Sequence, residues 1–308
     1  MEAAAMKEYL DDLRQRFCQQ RGGKPADYIP ALAEVDPDLF ALAIVTVGGE
    51  VFEAGDADAV FTIQSMSKPF TYGLALETLG RAVVRRKVGV EPTGEAFNSI
   101  LELEEEVHRP YNPMVNAGAI AVAALLHGAD PAAGAQNALR MMEAYLGRVP
   151  EVDRGVLESE LANADRNRAI AHLLRHFRVI HGDIDEALRL YFQQCSVRVR
   201  TRDLAAMAAT LANGGVQPFT GQQAVKKEFV RDILALMFTC GMYDAAGRWA
   251  YDVGLPAKSG VSGGILAVVP GRMGLAAYSP SLDPHGHSVR AMEAFKAWAE
   301  DWGLSLFA

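Results

Sequence analysis

An α+β fold, with one antiparallel sheet flanked by N- and C-terminal helices and an all-helical domain inserted into it, is predicted by three observations on the 308 residues. Apolar and β-branched runs bounded by Gly or Pro lie towards the two ends of the chain, at 40–63 and 264–278. Between 69 and about 213 such runs almost vanish, and Ala- and Leu-rich segments at helical spacing take over. Amphipathic segments at 6–19 and 288–302 close both ends. Sequential hairpin strands tend to be neighbours, so pairing the two ends into one sheet is the economical topology. It divides the chain into a discontinuous sheet domain, 1–68 with 222–308, and a helical domain, 69–221.

The elements follow in order. Residues 6–19 place Met6, Tyr9, Leu10, Leu13, Phe17 and Cys18 on one stripe of a charged helix. Phe40 to Val47 predicts a buried strand, and Gly48-Gly49 a hairpin into Glu50-Val51-Phe52. Val60-Phe61-Thr62-Ile63 is strand-like and leads straight into a segment of helical character. Helices are predicted over 70–81, 117–127, 131–146, 155–177, 183–194 and 201–212, the last stopped by Asn213-Gly214-Gly215. A helix at 225–240 precedes three short strands, at 248–253, 264–269 and 273–278.

Hydrophobic residues at 50% and charged residues at 22% are ordinary for a folded chain. The net charge of −8 argues against nucleic acid or anionic membrane as a partner, because both select clustered Lys and Arg. The one basic cluster, Arg81 to Lys87, is short. The first twenty residues carry Glu2, Lys7, Glu8, Asp11 and Asp12 where a signal peptide would need an apolar run. Cys18, Cys195 and Cys240 cannot all pair and show no metal-knuckle spacing, which fits a reducing cytoplasm. Helices such as 131–146 carry apolar residues suited to another subunit, so a homo-oligomer, dimer or tetramer, is expected.

Chemistry concentrates at Gln64-Ser65-Met66-Ser67-Lys68-Pro69-Phe70. Ser65 and Lys68, three positions apart, share one face of a helix, which places a nucleophile beside a candidate base. No other Ser in the chain has Lys three residues later. Pro69 lacks an N–H and suits only a first turn, so the helix must begin close to Ser65. An exposed lysine stays charged, and burial or a neighbouring cation is needed to make it a base. Towards the other end, Lys258-Ser259-Gly260-Val261-Ser262-Gly263-Gly264 offers a turn whose N–H groups can approach an oxyanion.

The two segments together resemble the Ser-x-x-Lys and Lys-Thr-Gly pair of serine β-lactamases and penicillin-binding proteins. Further blocks are similar to those of the serine-dependent glutaminases: Phe61 to Lys68, Asn112 to Ile120, Arg166-Asn167-Arg168-Ala169, Gln194-Cys195-Ser196, Thr239 to Tyr243 and Gly254 to Gly264. Tyr28-Ile29-Pro30, Val90 to Gly94 and Phe97-Asn98-Ser99 match as well, so the resemblance runs from about 25 to 290. One departure is Gly286-His287-Ser288, where the family more often has Gly-Asn-Ser.

The resemblance implies a β-lactamase/transpeptidase-like fold, no cofactor, and hydrolysis of the side-chain amide of L-glutamine to glutamate and ammonia. It places Ser65, Asn116, Glu160, Asn167, Tyr191, Tyr243 and the backbone of Val261 at the substrate, with Lys68 as partner of the serine. Chemically, Glu160 supplies the negative charge an α-ammonium wants, and Asn116, Asn167 and Tyr191 can donate to an α-carboxylate. Lys68 is expected to take the Ser65 proton and Tyr243 to carry protons to the leaving nitrogen. Which of the two is the immediate base stays open. A penicillin-recognising hydrolase or esterase of the same fold is the second reading; it predicts a secreted chain and a Ser-x-Asn or Tyr-x-Asn element. His172 and His176 have the i, i+4 spacing of zinc ligands but lack the intervening Glu of a metalloprotease. Packing is the reading for Cys195 and Cys240.

Overall fold

In a computed structural model, the structure describes residues 3–27, 29–94 and 108–308. Tyr28 and Phe97-Asn98-Ser99 of the matched blocks lie outside them. The chain opens with α1 (Ala3–Phe17) and a short α2 (Pro30–Ala33), followed by β1 (Ala41–Thr46), β2 (Val51–Gly55) and β3 (Phe61–Thr62). A 3₁₀ turn, Gln64–Ser67, runs into α3 (Lys68–Leu79) and α4 (Arg81–Lys87). Next come α5 (Asn116–Ala129), α6 (Gly134–Leu146), α7 (Arg154–Ala162), α8 (Asp165–His176) and α9 (Ile184–Cys195). The remainder is β4 (Arg198–Val199), α10 (Thr201–Ala212), α11 (Lys227–Cys240), α12 (Ala246–Asp252), β5 (Ala257–Ser259), β6 (Gly264–Val269), β7 (Met273–Tyr278) and α13 (Val289–Trp302).

Five strands form an antiparallel sheet in the order β2-β1-β7-β6-β5, and β3 pairs with β4 apart from it. The strand from the N-terminal part of the chain thus sits inside the sheet, between its own hairpin partner and β7. Strand side chains alternate between faces, and here both faces are covered. Leu42, Ile44, Ile265, Ala267, Leu275 and Ala277 point to one layer, with Leu10 and Leu13 of α1, Trp249 of α12 and Phe295 and Trp298 of α13. Ala43, Val45, Leu266, Val268, Ala276 and Tyr278 point to the other, which merges with the helical core. This is why the strands are nearly continuous apolar runs.

The second face is covered by α10, which packs on β1, β6 and β7. The approach is close enough that Gly274 has no room for a side chain: a Cβ there would lie 2.1 Å from the Ala205 carbonyl oxygen and 2.2 Å from the Ala209 nitrogen. Gly274→Ala is expected to destabilise the fold by about 1–3 kcal/mol through overpacking. Thermal unfolding measures it, and an unchanged unfolding temperature would contradict this packing.

Three expectations need correction. Of Arg248 to Val253, Arg248 to Asp252 is helical, within α12, and Val253 caps it, because burying Trp249 against Phe295 decides the local geometry. The segment 155–177 is two helices, α7 and α8, parted at Asn163 and Ala164. Lys258 and Ser259, expected at the start of a turn, belong to the edge strand β5. Among the described residues no helix is long and apolar enough to cross a membrane.

Candidate functional site

Ser65 stands where strand gives way to helix. Ile63 ends the strand run by donating its N–H to the Val197 carbonyl (2.9 Å), and Gln64 then takes a left-handed φ of 50°. For a non-glycine residue that conformation is strained and needs outside support. The Gln64 side chain supplies some of it, donating to Thr62 Oγ1 at 3.2 Å and hydrogen-bonding Glu160. Pro69 occupies the first turn of α3, where its missing N–H costs nothing.

Lys68 points into the protein and is only 2% exposed. Its amine donates to the Met114 carbonyl (3.2 Å) and to Asn116 Oδ1 (2.7 Å). Burial brings it down to about 8, since taking an ammonium out of water favours the neutral amine. Asn116, at the start of α5, is the hub: its Oδ1 also accepts from the Tyr191 hydroxyl of α9 (3.2 Å), and its Nδ2 donates to Asn167 Oδ1 of α8 (3.1 Å). Glu160 of α7 stands beside Gln64, and burial raises its carboxyl to about 7.

Tyr243 approaches from the sheet side. It lies on a 3₁₀ turn, Tyr243–Ala245, with a left-handed φ of 50°. Its hydroxyl is hydrogen-bonded to the Ser65 side chain and donates to the Ser259 carbonyl of β5 at 3.3 Å. Burial pushes the phenol up, and those bonds only partly offset it. Lys258, fully buried, holds its amine 3.8 Å from the centre of the Tyr243 ring and donates to the Ser259 carbonyl at 2.8 Å. Burial drives that amine well below its ordinary value.

After β5 the chain turns sharply through Val261, with Gly263 N–H donating to the Gly260 carbonyl at 2.9 Å. Gly263 has φ of 102°, and a Cβ would meet the Ser279 carbonyl at 2.3 Å, so the turn requires glycine. Among the described residues the Val261 N–H has no acceptor. Val261 packs with Ala26, Ile29 and Leu282.

The structure therefore joins Ser65 to Tyr243, and Lys68 to Asn116, Tyr191 and Asn167, through hydrogen bonds, with Glu160 attached by Gln64. Among the described residues no hydrogen bond joins Ser65 to Lys68: the hydroxyl pairs with Tyr243 and the amine with Met114 and Asn116. Cys195 bonds Tyr191 and Ser67, and burial pushes its thiol up to about 12, opposite to an activated thiolate. His172 and His176 are exposed, His172 Nδ1 lying 3.3 Å from the Arg175 guanidinium.

A family model described as Glutaminase matches residues 23–307, nearly the whole chain. The chain belongs to the glutaminase family. A glutaminase from Trichormus variabilis is 54% identical over 298 residues, covering 97% of this chain and 89% of that protein. One from Brucella canis is 48% identical over 303 residues, covering 98% and 96%. Among solved structures, a probable glutaminase, ybaS, superposes with a TM-score of 0.96 at 43% identity, covering 100% of this chain and 99% of the other. Mglu in its tris and glutamate form superposes with a TM-score of 0.94 at 45% identity, covering 99% and 68%. The fold is that of the β-lactamase-like glutaminases, and the function that of an amidohydrolase.

Four residues that touch this candidate site carried no separate role in the sequence: Gln64, Lys258, Ser259 and His287. Gln64, Lys258 and Ser259 lie inside the matched blocks, where only their neighbours were singled out. Their signal is contact between segments far apart in the chain, Gln64 with Glu160 and Lys258, Ser259 and His287 with Tyr243, which spacing does not reveal.

Proposed function

We propose that this glutaminase cuts the side-chain amide of L-glutamine through an ester on Ser65. Lys68 is the ultimate base, Tyr243 the proton carrier, and the N–H groups of Ser65 and Val261 the oxyanion donors. The observation that carries the reading is the setting of the Lys68 amine. A neutral amine has two N–H donors and one lone pair. Met114 and Asn116 take two donors, so on deprotonation the lone pair is left to receive a proton. Tyr243 is the group bonded to the nucleophile, but a buried phenol with a raised pKa is a poor base on its own. It passes the Ser65 proton on rather than keeping it. The amide carbon gains the Ser65 oxygen, ammonia leaves with a proton delivered through Tyr243, and water then releases glutamate.

Substrate recognition follows from charge. Glu160, raised by burial in the free enzyme, becomes a firm carboxylate when an α-ammonium arrives beside it. Asn116, Asn167 and Tyr191 lie together to meet the α-carboxylate, and the glutamate form of Mglu is consistent with such a product complex. The site lies between the sheet domain, 1–68 with 222–308, and the helical domain, 69–221.

Glu160→Gln tests the recognition arm. KM for glutamine should rise roughly 10- to 100-fold, since a hydrogen bond to a charged group contributes about 1.5–3 kcal/mol, while kcat changes far less. Steady-state kinetics decide, and an unchanged KM would remove Glu160 from the α-ammonium.

A further inference from the structure

The phenol of Tyr243 must be placed within reach of Ser65, yet its own backbone does not hold it there. The residue sits at a φ of 50° on a three-residue turn. Its ring is held from outside, by the Lys258 amine and by the imidazole of His287, whose ring stacks on it with centroids 5.6 Å apart and planes 27° from parallel.

His287 is fully buried. Its loop is pinned by hydrogen bonds: His287 N–H donates to Asp283 Oδ1 (3.0 Å) and its carbonyl accepts from Asp283 N–H (2.8 Å). Among the described residues neither ring nitrogen has a hydrogen-bond partner. What it presents to Tyr243 is a flat face.

The groups around it come from three segments. Tyr243 and Asp244 lie on the 3₁₀ turn, Lys258 on β5, and Asp283 and His285 on its own loop. Asp244 holds one oxygen 2.7 Å from His285 Nδ1 and the other 3.9 Å from His287 Nε2. Burial takes the His287 ring down to about 4, so at neutral pH it is uncharged and adds no positive charge beside Lys258.

We propose that His287 is a positioning residue for Tyr243, its imidazole face fixing the phenol ring over Lys258 and against Ser65. This rests on the reading of Tyr243 as the proton carrier. It acts on the chemical step and leaves the Glu160, Asn116 and Asn167 side of the site untouched.

The test is a double-mutant cycle with glutamine as substrate and thermal unfolding as the fold control. Tyr243→Phe alone tests the proton carrier and should lower kcat roughly 100-fold or more. His287→Ala should lower kcat about 10-fold with KM within about twofold. In the Tyr243→Phe background the same change should cost less than about twofold, because the phenol it positions is gone. His287→Asn, a smaller planar group, should restore kcat to within about threefold of the parent. If His287→Ala does not fold, His287→Leu, which fills the space without a flat face, is measured in its place with the same expectations. An unchanged kcat, an equal loss in both backgrounds, or an effect on KM alone overturns the positioning role. Parent-like kcat in Tyr243→Phe overturns the proton-carrier reading instead.

Discussion

Ser65→Ala is expected to lower kcat for glutamine by roughly 10⁴- to 10⁶-fold, the range seen when a serine nucleophile is removed, with the unfolding temperature within a few degrees of the parent's. The Ser65 side chain is small, and the Tyr243 phenol that it meets keeps the Ser259 carbonyl as a partner. Little of the fold depends on it. Hydroxylamine provides a second check, since an ester on Ser65 is intercepted as the γ-glutamyl hydroxamate. The parent should yield hydroxamate and Ser65→Ala should not. Parent-like ammonia release in the variant would move the chemistry to another residue.

Lys68→Met is expected to lower kcat by roughly 10²- to 10⁴-fold, the usual contribution of a positioned base. Methionine keeps the unbranched stem and the volume while deleting the amine. The pH profile gives the sharper readout. On the proposed mechanism neutral Lys68 and ionised Glu160 are both the active forms in the parent, with values of about 8 and about 7. Each therefore loses activity as pH falls: the amine gains its proton below about 8 and the carboxylate gains one below about 7. The acid side of kcat/KM should steepen to a two-proton slope, and Lys68→Met should reduce it to one. A single-proton slope in the parent would show that the two groups do not both titrate in the free enzyme.

Much of the fold was legible in the sequence because it is written in periodicity. The hairpin at Gly48-Gly49, the buried runs 264–269 and 273–278 and the helices at both ends follow from alternation and apolar stripes. The errors fall where packing outweighs pattern. In Arg248 to Val253, Trp249, Tyr251 and Val253 alternate as in a strand, yet Trp249 is fully buried with its Nε1 donating to the Leu255 carbonyl (2.8 Å) while Tyr251 is 92% exposed. A helix meets both demands. β5 escaped notice because it is three residues long and carries a lysine, a residue rarely expected inside. The candidate site came from the blocks that resemble a family, since Glu160 and Asn167 carry no local signal. Its internal pairing, with Tyr243 on Ser65 and Asn116 on Lys68, depends on side-chain reach between segments far apart in the chain.

The place of β1 in the sheet has a consequence for how the molecule is made. Its register joins Ala41 to Tyr278 and Thr46 to Met273, partners roughly 230 residues onward. Translation at about 5–20 residues per second separates their synthesis by ten seconds or more. Through that interval the hairpin of β1 and β2 waits with one hydrogen-bonding edge unpaired, while the helical stretch emerges. The sheet closes only once β7 has left the ribosome, so the edge that β1 offers stays unpaired until residues 273–278 have emerged.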